Sequence, residues 1–421
     1  MQGFRRSIRL IKNFPFKPPF FPSYSSSASA LIDRCTDVYI DGQRMQTSVM
    51  TEDSSSRCKM VVLNRPHALN AFDTPMVTQL LRLYRSWEED VNVGFVVLKG
   101  NGRGFCAGGD VVSAYHMINA GKMDDCKEFF KRSYTLIYLI ASYYKPHVAI
   151  LNGITMGGGS RISVLGNFRL ATDNTVFAIP ETLIGFHPDG AASYYLSRLP
   201  GHLGEYLALT AEKLNGPEMV ACGLATHYLG SERLPLIEEK LVNLETNDPA
   251  KIANLLDDYA ETAQFHDQTI LHRMEIINEC FGCSTIEEIF DTLKSRANGV
   301  DYEWCHATLE KLKGISPLSL KVSLKSIREG RFQTLEQCME REYWMTLQAI
   351  HGNISRDFIE GVRSRLVDKT FAPKWDPSSL SQVSSDMVDE YFSPCSQTES
   401  PLELPTLTQY ESCLRSSSRQ F

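Results

Sequence analysis

The sequence predicts an α/β fold followed by a helical C-terminal region. Three observations carry that reading. Apolar runs of strand length, at His147–Leu151 and at residues 95–99, lead into glycine-rich turns. Stretches compatible with helices follow those turns, so a strand–glycine loop–helix pattern repeats. From Leu234 onward, helical periodicity dominates and strands are weak at most. With 421 residues, the chain can bury a full core in one large domain or two smaller ones.

Residues 1–32 carry Arg5, Arg6, Arg9, Lys12 and Lys17, no acidic residue, and a serine cluster at 23–29. This is the composition of an organellar transit peptide, mitochondrial by first choice (matrix) and plastid by second. A short strand is expected at 38–40 before Asp41-Gly42, and another at 59–63 after a polar linker. Asn64-Arg65-Pro66 breaks that strand. Residues 74–87 show the spacing of an amphipathic helix, with Pro75 in its first turn. A second helix is expected over 127–144. Strands at 168–171 and 175–178 flank the turn residues Asp173-Asn174. Short helices are expected at 190–199 and 202–209, and another runs from Gly216-Pro217 to Gly223. Further helices follow at 318–328 and 332–347. The first of these carries Lys321, Lys325 and Arg328 on what reads as a solvated face. The proline-containing stretch 373–377 closes the helical part. After Tyr391 the composition predicts disorder. The chain thus divides into 1–32 (leader), 33–230 (α/β core), 231–390 (helical region) and 391–421 (tail).

A net charge of −7 argues against nucleic-acid binding as the main function. No apolar run approaches the length of a membrane span. Eleven scattered cysteines suit free thiols in a reducing compartment. Cys280 and Cys283 form a lone C-x-x-C without a second pair or a histidine in ligand spacing, so no metal is expected.

The informative stretch runs from His147 to Asp189. Gly157, Gly158 and Gly159 stand at the start of a helix candidate, where backbone N–H groups and the helix field favour negative charge. Glu181 follows a proline and is flanked by Ile179, Leu183 and Ile184. Such a setting raises a carboxylate pKa by desolvation. Asp189 lies eight residues on. An anion cradle with two carboxylates suits acyl chemistry. On the residues alone, Glu181 reads equally as a surface loop carboxylate, and Asp189 as the N-cap of a helix beginning near Gly190. There is no G-x-S-x-G elbow and no H-E-x-x-H. His187, between the two carboxylates, reads as structural.

Four motifs, NRPHALNAF (64–72), GFCAGGD (104–110), NGITMGGG (152–159) and PETLIGFHPD (180–189), together resemble the crotonase (enoyl-CoA hydratase/isomerase) superfamily. Within it, the hydrolase subgroup acting on 3-hydroxyisobutyryl-CoA is the nearer likeness. The resemblance implies stacked ββα units forming a spiral. It implies oxyanion donors at the amides of Gly109 and Gly158, and catalytic roles for Glu181 and Asp189. It also implies a coenzyme A border at Ala68, Asn70 and Ala71, although Asn70 reads alone as a loop cap. No separate cofactor is implied, since coenzyme A is part of the substrate. The expected partner is an acyl-CoA, with homo-oligomers common in the family. The expected activity is hydrolysis of a short branched β-hydroxyacyl-CoA, in valine breakdown.

Two positions depart from the family pattern. Arg161 stands where hydratases carry their first glutamate and hydrolases a small residue. Ser133 stands where hydrolases line the substrate site with a glutamate. Arg161 could serve an acidic acyl group or close the pocket. These departures motivate a second reading, a non-catalytic scaffold such as a mitochondrial ribosome-associated subunit. An enoyl-CoA hydratase is a third reading, disfavoured because Arg161 replaces the first hydratase glutamate.

Overall fold

A computed structural model describes residues 39–40, 43–44, 48–52, 57–262, 264–265, 269–297, 301–395 and 399–404. The leader, 1–32, lies outside the described residues. So does most of the tail.

The first described elements, β1 (Tyr39–Ile40) and β2 (Gln43–Arg44), pair antiparallel with each other. The core then rises by repetition. Three successive units each lay one strand into a large sheet and a second, shorter strand into a small sheet before a helix or turn; the first two turn at a glycine-containing connection and the third at Asp173-Asn174. The large sheet is built from β3 (Val49–Glu52), β4 (Cys58–Leu63), β5 (Phe95–Gly100), β7 (His147–Leu151), β9 (Phe168–Thr172) and β12 (His227–Leu229). Its order is β12-β9-β7-β5-β4-β3, parallel except for β3 at the edge. The small sheet takes β6 (Gly104–Cys106), β8 (Ile154–Met156), β10 (Val176–Ala178) and β11 (Leu214–Asn215), in the order β11-β10-β8-β6. Parallel pairing of β6, β8 and β10 stacks the three second strands directly over one another. This is the expected spiral. Gly153 shows what the stacking demands: at φ +104°, a Cβ there would stand 2.2 Å from the carbonyl oxygen of Arg103 in the unit below.

The large sheet is buried on both faces, which is why its strands read as continuous apolar runs. Alternate residues of β5 show the division. Val96 and Leu98 join the main core with α1 (Thr74–Glu89), α2 (Val111–Asn119) and α3 (Met123–Ala141). Phe95 and Val97 face the helices Leu234–Val242 and Pro249–Tyr259. Those two helices cover the far face of the sheet through Leu234, Ile237, Leu241, Ile252 and Leu256. The boundary at 230 therefore needs correction: the first helices beyond it complete the α/β core.

Two further expectations change. The helix Pro317–Gly330 does not present a solvated basic face. Lys321 donates to the carbonyl of Val383, Lys325 pairs with Asp389, and Arg328 donates to the carbonyls of Cys283 and Ser284. Later segments fold back over this helix, which periodicity cannot reveal. The described residues of the expected tail are also packed rather than disordered. Tyr391, Leu402 and Leu404 are buried, and Glu399 pairs with Lys127 and His351. Residues 405–421 lie outside the described set.

Candidate active site

The site forms where two glycine loops of successive units meet. Phe72 bridges to the first loop: its amide donates to the carbonyl of Gly108, and its carbonyl accepts from the amide of Asp110. That bridge leaves the amide of Gly109 out. The second loop enters the short helix α4 (Gly158–Val164), and the first amide of a helix has no partner within it. The two loops pack so closely that a Cβ on Gly158 would stand 3.2 Å from the nitrogen of Gly109. It would also stand 2.5 Å from Cζ of Phe72. The structure thus brings Gly109 and Gly158 together, although 49 residues separate them. Two backbone donors at one point are what a developing oxyanion requires.

Glu181 opens the 3-10 turn Glu181–Ile184 immediately after β10 and Pro180. Its Oε1 lies 3.2 Å from the place a Cβ on Gly157 would occupy, which sets the carboxylate beside the glycine loop. Glu181 is buried, not a surface loop carboxylate. Asp189 is buried too and does not cap the following helix, Ala192–Leu196. Both carboxylates converge on Arg161 of α4. One nitrogen, Nη2, donates to Oε1 of Glu181 and lies 2.9 Å from Oδ1 of Asp189. The hydroxyl of Tyr134 in α3 lies 2.9 Å from that of Thr346, and its presence near Asp189 favours the ionised carboxylate.

Electrostatics follow from the count of charges. Burial pushes both carboxylates up from their ordinary range, and Arg161 draws both back. Two carboxylates against one guanidinium leave one excess negative charge in a desolvated place, so the net direction is upward for both. Burial would weaken the charge on Arg161, but Asp189 and Glu181 outweigh it and hold the guanidinium cationic. Among the described residues, two buried atoms of the cluster have no hydrogen-bond partner: Oε2 of Glu181 and Nε of Arg161.

Glu342 was not legible in the sequence. It sits on the helix Leu335–His351, fully buried, 153 residues from Asp189. One of its oxygens accepts the amide of Ala191 at 2.6 Å. The other accepts the amide of Ser193 at 2.8 Å and the hydroxyl of Ser193. Glu342 therefore satisfies the start of the helix that Asp189 does not cap, and so fixes the loop that carries Asp189. No local sequence pattern could have found it.

The remaining expected residues take quieter positions. Ser133 is buried in α3, and its hydroxyl donates to the carbonyl of Phe129 one turn back, at 2.8 Å. Ala68 and Ala71 are half-buried in the loop before α1. Asn70 has left-handed backbone (φ 57°), and its side chain ties that loop to the one that follows β5. It accepts from the amide of Arg65 and donates to the carbonyls of Asn101 and Gly104. Arg65 in turn pairs with Asp73 and Asp110, which ties this loop to the one holding Gly109. His187 is buried, with Nδ1 3.3 Å from the hydroxyl of Tyr391. Burial lowers its pKa to about 3, so it is neutral.

Stacked ββα units with two packed glycine loops beside a buried carboxylate are the marks of the crotonase class, whose enzymes act on acyl-CoA substrates. The chain belongs to the enoyl-CoA hydratase/isomerase family, whose model matches residues 58–392. It is 55% identical to 3-hydroxyisobutyryl-CoA hydrolase-like protein 1, mitochondrial, of Arabidopsis thaliana, over 84% of this chain and 88% of that one. It is 50% identical to the small ribosomal subunit protein mS47 of Arabidopsis thaliana, over 91% of each. Among solved structures, a carnitinyl-CoA dehydratase from Mycobacterium thermoresistibile superposes with a TM-score of 0.77 at 31% identity. That match covers 86% of this chain and all of the other (100%).

Proposed function

We propose that the protein hydrolyses a short branched β-hydroxyacyl-CoA, namely 3-hydroxyisobutyryl-CoA, to the free hydroxy acid and coenzyme A. The observation that supports this most is the open Oε2 of Glu181, buried next to the paired glycine amides. A carboxylate oxygen already committed to other groups could not take a proton from water. In the proposed reaction, Oε2 removes a proton from a water molecule as its oxygen bonds to the thioester carbon. The carbonyl oxygen gains the negative charge and accepts from the amides of Gly109 and Gly158. The intermediate then expels the thiolate of coenzyme A, which takes up the proton. Desolvation raises Glu181 toward the range of an effective general base. Asp189 holds the substrate hydroxyl. We assign this reaction to valine breakdown, and the mitochondrial name of a relative together with the acid-free leader favours the mitochondrial matrix.

The test is release of free thiol from 3-hydroxyisobutyryl-CoA by the purified protein. Wild type releases it and Glu181→Gln reduces the rate to background. Equal inertness of the two would sink the proposal.

A second reading has its own support. Arg161 occupies both carboxylates, and a relative of 50% identity is named as a ribosomal subunit protein. In that reading the fold is a scaffold without turnover. Stable co-sedimentation with mitochondrial ribosomal particles favours it; a small soluble species counts against it.

A further inference from the structure

We propose that Arg161 is a restraint on the catalytic pair, holding Glu181 and Asp189 in a closed ion triad that keeps thioester turnover slow. The inference rests on the hydrolase reading above. Three observations carry it.

First, a single nitrogen of Arg161 serves an oxygen of each carboxylate, so neither can move toward substrate without loosening the other. Second, the seat of the arginine is built. Gly190 has φ +59°, and a Cβ there would stand 2.9 Å from Cδ of Arg161 and 2.8 Å from Cδ1 of Ile137. Only a glycine leaves room for that stem. Third, the triad is closed to water: the side chains of Arg161, Glu181 and Asp189 are 3%, 7% and 12% exposed. A cation in contact with a carboxylate stabilises its ionised form and makes it a weaker base. A guanidinium already shared by two carboxylates has no charge to spare for an acidic acyl group. Of the two roles open to Arg161, restraint fits this geometry and recognition of an acidic substrate does not. Other titratable groups face the cluster: Tyr195, His187 and Cys106 toward Arg161, and Tyr134 and Glu342 toward Asp189.

The experiment compares the full chain with Arg161→Gln, which keeps much of the stem and removes the charge. Thiol release from 3-hydroxyisobutyryl-CoA is followed from acid to neutral pH. Without the cation, the carboxylates hold their proton to higher pH. The acid limb of the rate profile should therefore move up by about one pH unit or more. The plateau rate should rise about tenfold. A role in packing alone would leave the acid limb where it is. A folded variant that is no faster, or whose acid limb has not moved, overturns the restraint and leaves hydrolysis by the wild type intact. An inert wild type beside an active variant establishes the restraint and removes the claim that the unaltered chain is a hydrolase. Two inert proteins remove both.

If Arg161→Gln does not fold, Arg161→Lys carries the test. Its ammonium preserves the charge of the site but stops short of the Nη2 position, so both contacts weaken. The expected rise is then about threefold, and a rate at or below wild type overturns the proposal.

Discussion

Glu181 in the spiral core and Glu342 on a C-terminal helix are both buried glutamates, and burial raises the pKa of each, that of Glu342 to about 7. They differ in what their oxygens do. Both oxygens of Glu342 are taken, by two backbone amides and a hydroxyl. One oxygen of Glu181 is taken by Arg161 and the other is open. A buried acceptor that is fully engaged supports the backbone that engages it. One left open beside two packed glycine loops costs stability and is available for chemistry. The C-terminal region thus supports the site, and the spiral core carries its reactive atoms.

The sharpest way to break this contrast is to neutralise each glutamate in turn. Glu181→Gln removes one of two carboxylates that share a single guanidinium. The remaining ion pair is balanced, so the melting temperature should hold or rise while thiol release falls to background. Comparable losses of stability and rate would show that Glu181 is a support as well.

Gly158→Ala tests the amide pair without touching a titratable group. Its methyl would meet the ring of Phe72 and crowd the amide of Gly109. Loss of one oxyanion donor typically costs on the order of 10²–10³ in kcat, and that is the expected loss here. KM should change much less. If kcat survives, the paired amides are not where the carbonyl oxygen sits.

Glu342→Gln should act on stability first. It places a side-chain amide where only acceptors fit, and a cost of about 1–3 kcal/mol is expected in urea unfolding. The sign of its pH dependence is fixed. A carboxyl whose pKa is raised in the folded state contributes stability that is present below its unfolded pKa and lost as pH rises through about 7. The variant lacks that contribution, so its penalty should shrink between about pH 4.5 and pH 7. A penalty that grows over this interval would mean that the hydrogen bonds to the ionised form outweigh its burial.

What could be read from the chain follows the range of the interactions. The run His147–Leu151 and the glycines after it encode a strand and a turn locally, and the strand forms over those residues. Meeting of Gly109 and Gly158 was legible only because the strand–glycine pattern repeats, which places both loops at the same level of the spiral. The misfit of Arg161 was visible, but its partners were not. Glu181 and Asp189 are 20 and 28 residues away, and the turn between them decides which way each carboxylate points. Asn70 shows how a side chain in a family motif is also structural: it joins its own loop at Arg65 to the loop of Asn101 and Gly104, a long-range contact that local sequence does not encode. Glu342 depends on a helix folding back across the core, and no periodicity encodes such a long return.

Ser133 offers the smallest expected effect and separates two uses of one position. Its hydroxyl donates to the carbonyl of Phe129, a local bond that serine often makes within a helix. Removing it leaves that carbonyl with its place in the helix and creates no buried unpaired donor. Ser133→Ala should therefore change kcat and KM by less than about twofold, and stability by about 0.5 kcal/mol or less. A tenfold rise in KM would show instead that the hydroxyl turns away from Phe129 to meet the acyl group. In that case α3 would contribute to the substrate wall, and the contrast between supporting helices and reactive core would have to be redrawn around it.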